Sequence, residues 1–212
     1  MRPITEHTGR SVALRRDDVD TDQIIPAQFC KRLTKTGYAD GLFAGWRAAD
    51  PGFVLNDPAV SGATVLIAGH NFGTGSSREH AVWALRDWGF AAVVASSFGD
   101  IFWRNAWKNG LLAVALPAAA VSWLSERAGE AAGLFITVDL IGCEVRGGGR
   151  GFGFEVDERG RWLVLTGRDD IDETLEADDA IAAHERGRNH WLPSLSQGAV
   201  AGRQPGRPGM AR

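Results

Sequence analysis

Apolar positions along this chain fall into two patterns, short continuous runs and stripes of helical spacing. Thr64 to Ala68, Ala91 to Ala95 and Leu111 to Leu116 are unbroken apolar or β-branched runs, too short for helices, and read as buried strands. Ala81, Ala84, Leu85 and Trp88 recur at three- and four-residue spacing, which predicts a helix with one buried face that Gly89 can stop in the left-handed conformation. Asp100 to Lys108 predicts a second helix, in which Ile101, Phe102 and Ala106 are the expected buried positions. Strands alternating with helices favour parallel pairing through right-handed crossovers. Upstream, Val12 to Leu14 is a short strand, and the charged run from Asp17 to Asp22 is expected to be a loop.

The second half changes character. Pro117 can open a helix running to about Ala131, and Leu134 to Leu140 follows as a strand. Gly147, Gly148 and Gly149 then separate strands at Glu144 to Arg146 and Gly151 to Val156, which predicts a hairpin rather than a phosphate loop, since a phosphate loop opens a helix. Leu175 to Arg186 reads as a helix. From Gln197 onward glycine, proline, alanine and three arginines show no periodicity, so residues 197–212 are expected to be a disordered tail behind a single domain over residues 1–196.

Composition narrows the function classes. A length of 212 residues suffices for one substantial core, and a net charge of −3 offers no electrostatic attraction for nucleic acid or an anionic membrane. The longest apolar stretches, near residues 111–121, are too interrupted to span a bilayer, so a soluble cytoplasmic protein with no nucleic-acid or membrane partner is expected. The only two cysteines, Cys30 and Cys143, form no Cys-x-x-Cys pair and no histidine stands at ligand spacing, so neither a disulfide framework nor a metal site is expected in this chain.

Candidate chemistry concentrates in Gly-His-Asn-Phe-Gly-Thr-Gly-Ser-Ser-Arg-Glu-His, residues 69–80. Ser76 as N-cap with Glu79 three positions later spells a capping box, which would start the helix there. Gly73 and Gly75 let backbone approach a ligand, and the free amides at a helix start favour a carboxylate or phosphate. Nucleotide motifs do not fit: no Gly-Lys-Ser/Thr follows, and Arg78 stands where a dinucleotide loop needs its third glycine. The residues alone leave a purely structural turn equally open. Ser76 could serve only as a cap, and Arg78, set against the helix dipole, modestly favours an external anion.

Taken whole, Gly-Ser-Ser-Arg-Glu-His resembles the signature of the smaller, swivelling domain of the aconitase superfamily, and its surroundings resemble the small subunits of the isopropylmalate dehydratases. Asp20-Thr21-Asp22-Gln23-Ile24-Ile25-Pro26-Ala27, Thr36-Gly37-Tyr38 through Gly41-Leu42-Phe43 with Trp46-Arg47, Ser97-Phe98-Gly99-Asp100-Ile101-Phe102, Asn105, Asn109-Gly110-Leu111-Leu112 and Asp178 to Ala183 match in the same order. The match covers roughly residues 5–193. It implies an α/β swivelling β/β/α domain with a mixed sheet and flanking helices. It also implies a hydro-lyase subunit that isomerises 2-isopropylmalate to 3-isopropylmalate in leucine biosynthesis. Such enzymes use a [4Fe–4S] cluster held by three cysteines, which this chain cannot supply, so the resemblance places the cluster on a separate large subunit.

The resemblance also implies roles. Ser76 matches the catalytic base; Gly75, Ser77 and Arg78 match the substrate-binding loop, with Arg78 holding a carboxylate. Thr21 and Asp22 match a loop beside the site, where Asp22 could orient the base or the arginine, the alternative being an exposed acidic turn. Phe29, Cys30, Lys31 and Arg32 match the loop facing the substituent that separates one 2-hydroxy acid from another; an apolar wall would favour isopropyl, a cation a third carboxylate. Thr74 stands where these subunits commonly carry cysteine, and Val82 and Ala113 where they commonly carry proline. A paralogous hydro-lyase of the citramalate, dimethylmalate or homoaconitate type, or a non-catalytic carboxylate- or protein-binding domain, are therefore alternatives. His80 reads as a packing residue, and Trp103 with Trp107 as core, with a large-subunit interface as the alternative.

Overall fold

The computed structural model describes residues 1–76, 78–130, 133–189 and 191–192. Seven strands form one mixed sheet: β1 (Glu6–Leu14), β2 (Val65–Ala68), β3 (Ala92–Ala95), β4 (Leu112–Ala115), β5 (Phe135–Asp139), β6 (Glu144–Gly147) and β7 (Arg150–Gly153). Their order is β4-β3-β2-β1-β5-β6-β7; β1 to β4 run parallel, and β5, β6 and β7 pair antiparallel. The helices are α1 (Thr21–Ile24), α2 (Ala44–Ala49), α3 (Glu79–Trp88), α4 (Asp100–Lys108), α5 (Ala118–Glu130), α6 (Glu158–Thr166), α7 (Asp170–Leu175) and α8 (Asp178–Arg186).

The short apolar runs become strands because both of their faces are covered. Every residue of β2 and of β3 is buried, and alternate side chains enter different cores. Leu66, Ala68, Val93 and Ala95 pack with Ala81 and Leu85 of α3 and Phe102 of α4 on one face. Val65, Ile67, Ala92 and Val94 pack with Val121 and Leu124 of α5 and Val164 of α6 on the other. Gly89 closes α3 at φ 117°, as the pattern predicts. The hairpin turns on Gly148 and Gly149, both at positive φ (54° and 80°), the backbone that a two-residue turn of right-handed twist requires.

β1 is longer than its apolar core suggests because it serves two partners in succession. Residues 6–10 pair antiparallel with β5, and Ser11 to Leu14 pair parallel with β2. Polar His7, Thr8 and Arg10 hide this from a hydrophobicity reading, yet each has a partner across the sheet or beyond it. Thr8 meets Thr137 at 2.8 Å, Arg10 donates to the Ser61 carbonyl, and His7 Nε2 lies 2.8 Å from Thr64 Oγ1. Gly9 leaves room for the last pair, since a Cβ there would strike Thr64 Oγ1.

Burial holds the His7 pKa below its ordinary 6.5. The unfolded chain therefore takes up the proton first, so His7's contribution to stability is complete above that value and is lost as pH falls from it towards the lower folded-state pKa. Urea titrations at several pH values should show wild type losing stability below 6.5 more steeply than His7→Gln. Parallel pH dependence in the two proteins would remove His7 as the cause.

Several expectations are corrected. The Asp17 to Asp22 segment is not all loop: Asp20 caps α1 through a full capping box, its carboxylate accepting from Gln23 N at 2.7 Å while Gln23 Oε1 accepts from Asp20 N at 3.0 Å. Ile101 is exposed (48%), against expectation, whereas Trp107 is buried in the core as expected (2%) and half-buried Trp103 packs against it and donates its indole N–H to the Ala113 carbonyl at 3.1 Å. The helix expected over Leu175 to Arg186 breaks after Leu175, which ends α7, and α6 lies where no helix was expected.

The expectation of one domain over residues 1–196 meets two compact units, the first over residues 1–169 and the second beginning at Asp170. The described part of the second comprises α7 and α8, neither with a buried residue. The tail expected over residues 197–212 lies outside the described residues.

Candidate active site

The carboxyl ends of β1, β2 and β3 each run into a loop, and the three loops dock side by side. The middle one, residues 69–76, is held on both flanks like an irregular strand. Towards the β1 loop, Asp18 N donates to His70 O (2.9 Å), Gly73 N to Val19 O (2.7 Å) and Thr21 N to Thr74 O (3.0 Å), while Asn71 Nδ2 reaches Asp18 Oδ1 (2.8 Å). Towards the β3 loop, Phe72 N donates to Ser97 O (3.0 Å) and Gly99 N to Phe72 O (2.9 Å).

Two glycines make the close passage possible. Gly73 has φ 75°, and a Cβ there would overlap the Phe102 ring; a Cβ on Gly99 would lie 2.6 Å from the Gly73 carbonyl oxygen. Gly75, at φ 87°, turns the chain outward with no close neighbour, so its requirement is conformational alone.

The helix does not begin as its capping pattern suggests. α3 starts at Glu79 with Arg78 as an N-cap that contributes no side-chain hydrogen bond, so the expected Ser76–Glu79 capping box is absent. Ser76 is held in the loop instead: its carbonyl accepts from Thr21 Oγ1 (3.0 Å) and from Arg78 N (2.8 Å). This tertiary docking holds Ser76 outside the helix, which starts at Glu79, and leaves Ser76 exposed. Ser77 lies outside the described residues.

Thr21, Asp22, Gly75, Ser76 and Arg78 are brought together. Thr21 is buried (1%) against the loop, and Asp22 forms an ion pair with Arg78 through Nη1. A guanidinium has five donors, and this contact engages one terminal nitrogen. The arrangement can present a hydroxyl, helix-start amides and an oriented guanidinium to an anion on a shelf open to solvent. A groove of about 710 Å³ lies along Arg10 to Arg16 between Phe53 and Gly129. It contains none of the expected site residues.

Phe29, Cys30 and Lys31 fall in a 3₁₀ turn, Ala27–Lys31, capped by Arg32. Phe29 packs on Gly41, where a Cβ would come within 3.0 Å of its ring. Arg32 is tied bidentately to Asp40, both bonds 2.7 Å, donates to the Gly37 carbonyl and stacks over the rings of Phe29 and Tyr38. Asp40 thereby raises the Arg32 pKa, and the Arg32 guanidinium holds the Asp40 carboxyl below the usual range. Nothing in the spacing of these two residues announced the pair. Tyr38 links this segment to α3, its ring edge-on to His80 at 5.4 Å, which gives His80 a packing role together with its contact to Trp83. Lys31 is exposed.

Among the described residues no group of three or more His, Cys, Asp or Glu converges as a metal site, and Cys30 and Cys143 are separate free thiols. The donor set of this chain does not fit a three-cysteine cluster.

Residues 1–119 match the family model of the aconitase C-terminal domain. The chain is 54% identical over 196 residues to the 3-isopropylmalate dehydratase small subunit of Parafrankia sp., covering 92% of this chain and 100% of that one. It is 53% identical over 197 residues to the corresponding subunit of Streptomyces coelicolor, covering 93% and 100%. In structure it resembles a 3-isopropylmalate dehydratase from Methanocaldococcus jannaschii, with a TM-score of 0.62, 28% identity, and coverage of 85% of this chain and 99% of that one.

Proposed function

The chain belongs to the family of 3-isopropylmalate dehydratase small subunits, and from that premise we propose that it interconverts 2-isopropylmalate and 3-isopropylmalate in leucine biosynthesis as one half of a two-chain hydro-lyase. The observation that carries this reading is the Asp22–Arg78 pair beside Ser76 at the start of α3.

The reaction removes a carbon-bound proton next to a carboxylate, loses water and adds it back the other way round. In this reading Ser76 takes the proton as an alkoxide. A neutral serine is a weak base, and the amides of the glycine loop, the positive end of α3 and Arg78 lower the cost of its negative charge. Arg78, its fork oriented by Asp22, receives a substrate carboxylate. Ser77 and the Gly75 amide complete the cradle, and Thr21 holds the Ser76 peptide through its carbonyl.

The site is an open shelf, and the electrostatic stabilisation of Ser76 needs shielding from bulk water to reach full strength. A large subunit closing over the shelf meets that need and brings the [4Fe–4S] cluster that this chain's two cysteines cannot ligate. Held there and not by this chain, the cluster would supply Lewis-acid chemistry for loss of the hydroxyl. Such an assembly fits the cytoplasm, and no described helix is long and apolar enough to cross a membrane.

Substrate choice is supported by Arg32. Its charge is already matched by Asp40 and its face covered by Phe29 and Tyr38, so it has little capacity left for a third carboxylate, and isopropyl is favoured over the carboxylate arm of homocitrate. Thr74 acts here through its backbone carbonyl, Val82 is fully buried in α3, and Ala113 presents its carbonyl to Trp103. None of the three presents a charge to the shelf. The test is anaerobic turnover of the chain assembled with its cluster-bearing large subunit on 2-isopropylmalate, citramalate, dimethylmalate and homocitrate. Dominant turnover of 2-isopropylmalate is expected; preference for another acid would make this a paralogue, and inactivity on all four with an intact cluster would leave a binding domain.

A further inference from the structure

α3 presents Arg78 without any side-chain cap at its start, yet that start is fastened from outside the helix. Asn109, the C-cap of α4, reaches across to it. Its Oδ1 accepts from the Trp83 indole N–H at 3.0 Å, and its Nδ2 donates to Glu79 Oε1 at 2.7 Å and to the Asn105 carbonyl at 2.8 Å. The partners dictate the amide's orientation, because an indole can only donate while a carboxylate and a carbonyl can only accept. One amide thus joins the last turn of α4 to the first two turns of α3.

Glu79 is the residue next to Arg78, so whatever fixes Glu79 fixes the point from which the guanidinium extends. We infer that Asn109 is a positioning residue for substrate capture, locking the start of α3 through Glu79 so that Arg78 is already set when a carboxylate arrives. The inference rests on the reading of Arg78 as the carboxylate clamp. The Asn109 amide reaches α3 through Glu79 and Trp83. The hydrogen bond to Glu79 is charge-assisted, the stronger kind, and preorganisation of this type lowers the ordering cost of binding.

A polarity-swap cycle on the assembled complex tests it. Asn109→Asp keeps the acceptor for Trp83 but sets a carboxylate against Glu79; Glu79→Gln keeps an acceptor for Asn109; the double variant restores the bond with donor and acceptor exchanged. Asn109→Asp should raise KM for 2-isopropylmalate roughly tenfold with a smaller change in kcat. Glu79→Gln should stay within about threefold of wild type, and the double variant should return to that range. Unchanged KM in Asn109→Asp, or a double variant no better than it, overturns the inference, as does a lowered melting temperature with normal KM, which is the mark of a merely structural bond. If Asn109→Asp fails to assemble, Glu79→Ala severs the same link from the other end, and a raised KM supports the inference while an unchanged one overturns it. A wild-type complex inactive on 2-isopropylmalate would remove the functional reading itself, and the inference with it, before any variant is compared.

Discussion

Ser76→Ala is expected to lower kcat of the assembled complex by about a thousandfold or more while leaving folding and assembly intact, general-base contributions being of order 10² to 10⁴. The structure separates the two outcomes. Had Ser76 capped α3, alanine would cost roughly 1 kcal/mol of stability and any loss of activity would be ambiguous. Arg78 occupies the cap position, and Ser76 is held to Thr21 and Arg78 through its carbonyl, which alanine retains. Removing an exposed hydroxyl should therefore change stability by no more than about 0.5 kcal/mol. The measurements are kcat on 2-isopropylmalate, the melting temperature, and co-elution with the large subunit. Near-normal turnover in a complex that assembles would remove serine as the base.

Of the two positive-φ glycines in the loop, Gly73 should tolerate alanine far less well than Gly75. Two costs coincide at Gly73. At φ 75° an L-residue is strained by about 1 to 3 kcal/mol, and the new Cβ would lie 2.6 Å from Phe102 Cδ1. Phe102 cannot easily yield: it is buried, edge-on to Phe72 at 5.4 Å and stacked on Phe98 at 6.1 Å. Overpacking of such a cluster costs about 1 to 3 kcal/mol more. Gly75→Ala is the internal control, with similar φ but no neighbour closer than Asp20 Cβ at 3.4 Å. Urea unfolding should show Gly73→Ala losing at least about twice as much stability as Gly75→Ala, since only the first adds overpacking to backbone strain. Equal losses would mean that the Phe102 cluster accommodates the methyl and that backbone strain alone governs both positions.

The capping pattern shows how far local signals reach. Ser76-x-x-Glu79 and Asp20-x-x-Gln23 spell the same box, yet only the second closes. The difference is tertiary: Thr21 clamps the Ser76 carbonyl and Gly75 stands at φ 87°, so Ser76 is held in the loop and the helix begins only at Glu79. Ile101 fails for a related reason. Spacing predicts that a helix has a buried stripe, but which stripe depends on what packs against it, and α4 turns Trp107 rather than Ile101 to the core.

Read alone, the amino-acid order determined the parallel strands, the helices between them, the glycine hairpin and the motif order that marks the family, because each is written in local periodicity, turn chemistry or contiguous residues. Tertiary structure alone decided that Asp40 occupies Arg32, that β1 is shared between a parallel and an antiparallel partner, and that Asn109 bonds Glu79 at the start of α3. Those pairings depend on strand register and on how loops dock, and a short-range pattern carries no record of either.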